Sequence, residues 1–425
     1  MNASPSPDRR PHLAILSYNY APEPTGIPFY NTGMATWFAA HGWRVTMHAG
    51  IPHYPWWRVP EAYAARDYRG GRGDEVMDGV EVQRVRHFVP APPVSGKARM
   101  RLDASYLWRT LLRSFHQRQR PDVLVVIAPP FLGGLLGLFL RWRHRVPVCW
   151  HVQDLQVDAA LDLGMIPRHL GRILLWLERL ILARVDLVTT VSQAMRRRLQ
   201  AKCRTRQPVA MFPNWADAET MRPWTGANRF RQEWGVDEAT PVVMYSGNLG
   251  RKQGVEVLLE AATHVRVPHL LVIAGEGAER ADLEQRAREL GVTRVRFVPL
   301  VPSERLAEFL CAGDVHCIPQ RRAAAGLVMP SKLLNLMAVA RPVVVTAPAD
   351  SDLAAVVAQA GCGRAVEPED SQCLGQALDE LLVDASVRRA YGLAGRQFVQ
   401  ATFAADAVLG GFSRRLLHLI TSDRS

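Results

Sequence analysis

Short, nearly unbroken apolar runs alternate along this chain with stretches of helical period. The first run is HLAILSY (His12–Tyr18), followed by a loop rich in proline and glycine, NYAPEPTGIP, and a helical pattern from Phe29 to about Ala40 that Gly42 ends. Further runs follow at Trp43–Gly50, Val80–Val85, Val123–Ile127, Val146–His151 and Leu187–Val191, with helical patterns between them. A strand that is apolar on both sides is buried on both faces, so the alternation predicts a parallel sheet covered by helices. The segment Phe212–Pro223 has turn residues and little period, which marks a linker. The pattern then restarts at Val242–Gly247, Leu270–Gly275, Val295–Leu300, Val315–Pro319 and Pro342–Ala347. Two doubly wound α/β domains are expected, 1–212 and 213–395. The stretch 396–425 is expected to form a helix returning to the first domain. In such folds ligands gather at the carboxyl ends of the strands, and two in series face each other across a cleft.

A length of 425 residues suits two cores. The most apolar later stretch, Phe131–Leu140, is far short of the roughly 20 residues that span a bilayer. Residues Met1–Pro11 are polar and proline-rich, unlike a signal peptide. The six cysteines form no CxxC pair and no metal-ligand spacing, so they are expected to be reduced and mostly buried. Charge adds more once it is located. Residues 1–212 carry 29 Lys and Arg against 15 Asp and Glu, a net +14, whereas the remainder is at −2. The first half therefore calls for an anionic partner, and it lacks any nucleic-acid motif.

Several strand-to-helix junctions could hold phosphate, because free N–H groups and the helix dipole favour negative charge there. Gly26 lets the backbone approach a ligand, and Pro28 suits a first helical turn. In SGNLGRKQG (Ser246–Gly254), glycines frame Asn248, Arg251 and Lys252. A cation at a helix start opposes the dipole unless an anion binds, and this points Lys252 at a diphosphate. In MPSKLLNLMA (Met329–Ala338), Pro330 and Ser331 read as a helix start, Lys332 lies in the first turn, and Asn335 one turn along. Gly275 and Leu300, at the ends of the next two strands, are set with the donor contacts; the Gly275-Glu276-Gly277 pattern itself is common in α/β folds.

On the first domain, CWHVQDLQVDAALDLG (Cys149–Gly164) ends a strand at His151, with Gln153, Asp154 and Asp158 after it. A His and an Asp three apart at a sheet mouth are a candidate catalytic pair. Asp350-Ser351-Asp352 evokes a metal-bound nucleotide but reads better as aspartates capping a helix, so no metal is expected. Lys97–Arg120 carries seven basic residues and one acid. Ala104, Leu107, Leu111 and Phe115 recur there at helical spacing beside a stripe of Arg109, Arg113, His116 and Arg120, the pattern of a helix lying on an anionic membrane.

Taken together, NYAPEPTGI, HVQDLQVDAALDLG, FPNW, YSGNLGRKQG and MPSKLLNLMA resemble the retaining GT-B glycosyltransferases of the glycosyltransferase 4-like group, from about His12 to about Ala394. The likeness is nearest to fucosyltransferases of colanic-acid-type exopolysaccharide synthesis. It implies two Rossmann-like domains and transfer, with retention, from a nucleoside diphosphate sugar (GDP-fucose preferred) to a lipid-linked oligosaccharide. It also implies a cytoplasmic enzyme on the inner face of the membrane, needing no cofactor or metal. By the same likeness Lys252 takes the diphosphate lysine's place, while Asn248 stands where an arginine is usual. The family's E-x7-E acids are replaced by Leu327 and Asn335, and Pro28-Phe29 stands where relatives have Gly-Lys. The missing acids leave two rival readings: a sugar-nucleotide epimerase of the same fold, or a silent nucleotide-sugar or membrane-binding subunit.

Overall fold

A computed structural model describes all residues except 1–9, 25, 93, 116–119, 163–165, 204–208, 252, 323–331 and 423–425. The chain divides into two compact units, Met1–Pro213 with Leu409–Ser425, and Asn214–Val408.

The first unit holds strands β1 (His12–Leu16), β2 (Arg44–Gly50), β3 (Glu75–Met77), β4 (Val80–Val85), β5 (Val123–Ala128), β6 (Val148–Val152), β7 (Leu187–Thr190) and β8 (Ala210–Met211). They form one sheet in the order β3-β4-β2-β1-β5-β6-β7-β8, parallel except for the β3–β4 pair. Helix Ile27–Ala40 follows β1, and helices Gly96–Ser114, Gly133–His144 and Arg168–Leu182 lie between β4 and β7. The last helix, Ala405–Ser422, extends into this unit: Phe412 stacks on Phe212 at 3.9 Å, and Trp43 Nε1 donates to Ser413 Oγ at 3.2 Å.

The second unit holds β9 (Val242–Ser246), β10 (Leu270–Ala274), β11 (Val295–Val298), β12 (Val315–Ile318), β13 (Val343–Thr346) and β14 (Gly363–Val366), in the order β11-β10-β9-β12-β13-β14. All pairs are parallel. Its core shows why continuous apolar runs were needed. Val242 and Met244 pack into one layer, while Val243 and Tyr245 pack into the layer on the opposite face. Side chains alternate across a strand, so both faces need apolar residues when both are covered.

Helix Gly96–Ser114 is anchored by Leu102, Tyr106, Thr110 and Ser114, all buried. Leu107 and Leu111 are half-buried, and Trp108, Leu112 and Phe115 face outward. The stripe expected to lie on a membrane thus belongs partly to the unit's own core. The aspartate-cap reading is also corrected: Ser351, between the two aspartates, caps helix Asp352–Ala360 by accepting from the N–H of Ala354. Four cysteines are buried, Cys203 is half-buried and Cys373 is exposed.

Candidate functional site

In a doubly wound sheet the ligand crevice opens at the strand carboxyl ends where the winding reverses. In the second unit that point lies between β9 and β12. The 246–254 loop leaves β9, and helix Lys332–Ala338 follows β12. The loop is braced from below by the turn after β10. Gly247 N–H donates to Ala274 O at 2.9 Å, and Leu249 N–H to Glu276 O at 2.9 Å. This brace requires glycine. A Cβ on Gly275 would stand 1.8 Å from the carbonyl oxygen of Gly247, and Gly275 has a φ of +154°.

Lys332 reaches into the same place. Its Nζ lies 4.3 Å from the centre of the Tyr245 ring, and a Cβ on Gly247 would stand 2.7 Å from it. Enclosure of the ammonium lowers its pKa from 10.5 to about 8. Tyr245 is itself fixed, because its hydroxyl donates to Asn248 O at 2.7 Å. No carboxylate among the described residues pairs with Lys332. A desolvated cation on a ring face beside a glycine backbone is arranged to receive an anion. On the far side of the loop, Arg321 Nε donates to Arg251 O at 2.8 Å, and its guanidinium also pairs with Glu256.

In the first unit the winding reverses between β1 and β5. The loop after β1 is cross-linked by side chains. Asn31 Nδ2 donates to Ser17 Oγ at 3.0 Å and to Asn19 O at 2.9 Å. Gln153, from the HVQD stretch, donates to Asn31 Oδ1 at 3.3 Å. Glu23 is buried and accepts from Asn19 Nδ2 at 2.9 Å and from the N–H groups of His53 and Tyr54, each at 2.8 Å. Gly26, at φ +73°, is the residue that precedes helix Ile27–Ala40. The loop after β1 and the loop after β2 are thereby held as one polar ledge at the strand ends.

His151 does not stand at that ledge. It is 2% exposed, its Nδ1 lies 3.0 Å from Thr189 Oγ1, and its ring packs on Phe212 at 4.8 Å. Burial lowers its pKa to about 3, so it is neutral. The expectation that it opens into the site is corrected: the alternation along β6 turns it onto a covered face. Asp158 is likewise a structural partner, paired with Lys202, which also binds Glu178 at 2.6 Å. Asp154 is half-buried beyond the end of β6.

Residues 25–215 match the family described as Glycosyl transferase 4-like domain, and residues 227–398 match Glycosyl transferases group 1. A protein of Escherichia coli (strain K12), assigned to colanic acid biosynthesis as the glycosyl transferase WcaI, is 30% identical over 94% of this chain and 98% of its own. The chain belongs to this glycosyltransferase family. Among solved structures, sucrose-phosphate synthase from Thermosynechococcus elongatus superposes with a TM-score of 0.76 at 20% identity, covering 97% of this chain and 100% of that one. Anabaena HepE in complex with UDP-glucose gives 0.69 at 15% identity, covering 96% and 99%. The fold is GT-B.

Of the residues expected to hold the transferase's donor, Asn248, Gly275 and Lys332 come together around the β9 loop, with Asn335 one turn further along its helix. Arg251 points outward, its side chain 93% exposed and its Nε 3.6 Å from Glu279. Leu300 is half exposed beyond β11, two strands from β9. Lys252, Pro330 and Ser331 lie outside the described residues. The basic stripe is corrected too. Helix Gly96–Ser114 stops before Arg120, whose guanidinium bonds to Arg145 O. Arg113 donates to Arg84 O at 3.1 Å and pairs with Asp74, so of the three only Arg109 is an exposed residue of the helix. Reasoning from sequence missed Tyr245, Arg321, Glu23 and His53. Tyr245 reads as one more apolar strand residue, but Glu23 is the one acid of the NYAPEPTGI loop, and that is the signal.

Proposed function

We propose that this glycosyltransferase moves a sugar, with retention of configuration, from a nucleoside diphosphate sugar to a lipid-linked oligosaccharide in exopolysaccharide synthesis. It would act on the cytoplasmic face of a membrane and without a metal or other cofactor. The observation that carries the donor assignment is Lys332, a desolvated cation seated between Tyr245 and Gly247 at the switch point of the second sheet. A diphosphate there supplies the missing countercharge. As the bond from the sugar to the diphosphate breaks, negative charge grows on the leaving group, and fixed cations aimed at growing charge are a large catalytic term. Lys252, Ser331 and Asn335 belong to this reading as further donor contacts. Asp154 is assigned to the sugar, and the loops after β1 and β2, which buried Glu23 ties together, to the acceptor. GDP-fucose is the first donor to test, from the fucosyltransferase resemblance; colanic acid in the name of the Escherichia coli relative supports the exopolysaccharide setting.

A ligand that binds only the native state raises the melting temperature. Screening GDP, UDP, dTDP and ADP should give a clear upward shift for one base, and Lys332→Met should abolish that shift while leaving the unliganded melting temperature equal or higher. No shift with any nucleotide, or an equal shift in the variant, would remove Lys332 from a donor site.

A further inference from the structure

Among the described residues no helix is long and apolar enough to cross a membrane. The first unit nevertheless presents large apolar side chains to water on three neighbouring helices. Trp108 is 59% exposed on helix Gly96–Ser114, Trp142 is 76% exposed on helix Gly133–His144, and Trp176 is 60% exposed on helix Arg168–Leu182. The helices are packed side by side. Phe115, just past the end of the first, lies 5.7 Å from Phe139 on the second, and Phe139 lies 5.9 Å from Trp142. The second and third approach closely enough that a Cβ on Gly134 would stand 2.5 Å from Ile181, and Arg141 Nη1 donates to Arg184 O at 2.9 Å.

Cations are interleaved with these aromatics. Arg109 follows Trp108, Arg143 follows Trp142 with its guanidinium 5.6 Å from the Phe115 ring, and Arg172 lies one turn before Trp176; all three are exposed. The three helices carry only two acids. Asp103 is half-buried, and Glu178 is buried and paired with Lys202. The outward surface is therefore apolar and positive, with no exposed carboxylate on any of the three helices. A protein partner would bury such arginines against matching acids. A bilayer with anionic headgroups matches both properties at once, because tryptophan settles at headgroup level and arginine pairs with lipid phosphate.

We infer that these three helix faces form one docking surface for an anionic lipid bilayer, with Trp108, Trp142 and Trp176 as its anchors. The inference rests on the reading that the acceptor is lipid-linked, and it moves the contact from a single basic helix to a plane built by three.

The test is cosedimentation of the full chain with phosphatidylcholine–phosphatidylglycerol vesicles and with pure phosphatidylcholine vesicles, across a salt series. The wild type should bind the anionic vesicles and leave them as salt rises. Trp108→Ser, Trp142→Ser and Trp176→Ser together should weaken binding about tenfold or more, with nucleotide binding unchanged and melting temperature little changed, because more than half of each residue is already exposed to water. Arg109→Gln, Arg143→Gln and Arg172→Gln together should remove the preference for anionic lipid. If the tryptophan variant binds like the wild type, the three-helix surface is wrong while a membrane-bound transferase stands. If the wild type ignores anionic vesicles, the surface and the membrane reading both fail. Equal binding to both vesicle types also overturns the inference. So does concentration-dependent self-association that the tryptophan changes abolish without any vesicle binding, which would make the surface a contact between copies.

Discussion

A lysine held on an aromatic face out of water keeps its proton less firmly, and a bound anion returns it. Lys332 at about 8 should therefore be largely neutral at pH 9 in the free enzyme and charged in the nucleotide complex. Nucleoside diphosphate binding at pH 9 should take up close to one proton, read by calorimetry in buffers of different ionisation enthalpy. The uptake should vanish near pH 7 and be absent in Lys332→Met. Affinity should fall as pH rises through 8, by at most about tenfold per pH unit. The opposite holds at His151, whose neutral ring fills space between Thr189 and Phe212. His151→Ala leaves the Thr189 hydroxyl without this bond and opens a cavity, and it should cost about 2–4 kcal/mol in urea unfolding. A variant as stable as the wild type would reopen a role in chemistry.

The loops of the second sheet depend on one another more than on their own sequences. Gly275→Ala drives a methyl into the carbonyl of Gly247, so either the β9 loop or the turn after β10 must move. The expected loss is about 3 kcal/mol or more, together with weakened nucleotide binding, because the loop that faces Lys332 shifts. Gly291→Ala is the control. It has a φ of +67° and no atom within 4 Å of the new Cβ, so only backbone strain of about 1 kcal/mol is expected, without an effect on nucleotide. Equal losses at the two positions would show that packing between the loops is unimportant. The same dependence explains which elements could be read in advance. Most β strands were legible because an apolar run of four or more residues stands out between helical stretches. Glu75–Met77 and Ala210–Met211 were not, since two or three residues carry none and their pairing comes from β4 and β7.

At the scale of the whole molecule, burial lowers four histidines furthest among the described residues: His48 and His151 to about 3, His87 and His316 to about 4. In the unfolded chain each titrates near 6.5, so the unfolded state binds protons first as pH falls. Stability from these groups is complete above pH 6.5 and is lost as pH falls from there to about 4 for His87 and His316 and to about 3 for His48 and His151. Each adds about 1.4 kcal/mol per pH unit to the slope. Asp103, pushed up to about 7 by burial, works in the opposite direction over much of that range and offsets one of them. These five groups together give a fall of about 4 kcal/mol per pH unit between about pH 6 and pH 4, and urea midpoints that stay level from pH 7 to pH 5 would contradict it. Order along the chain determined the strand and helix succession, the charge concentrated in residues 1–212, and the glycine loops after β1 and β9. These follow from local period and from residues that suit turns, so neighbours in sequence suffice to express them. Direction and company were decided only by the folded structure. A strand apolar on both sides does not say which face His151 takes, and Thr189 is distant in sequence. Arg113 is withdrawn from its basic stripe by Asp74, Lys332 finds Tyr245 across the switch point, and Trp108, Trp142 and Trp176 share a surface only because three helices pack on one sheet. Each of these is a relation between residues far apart in the chain, and such relations exist only once the chain has closed on itself.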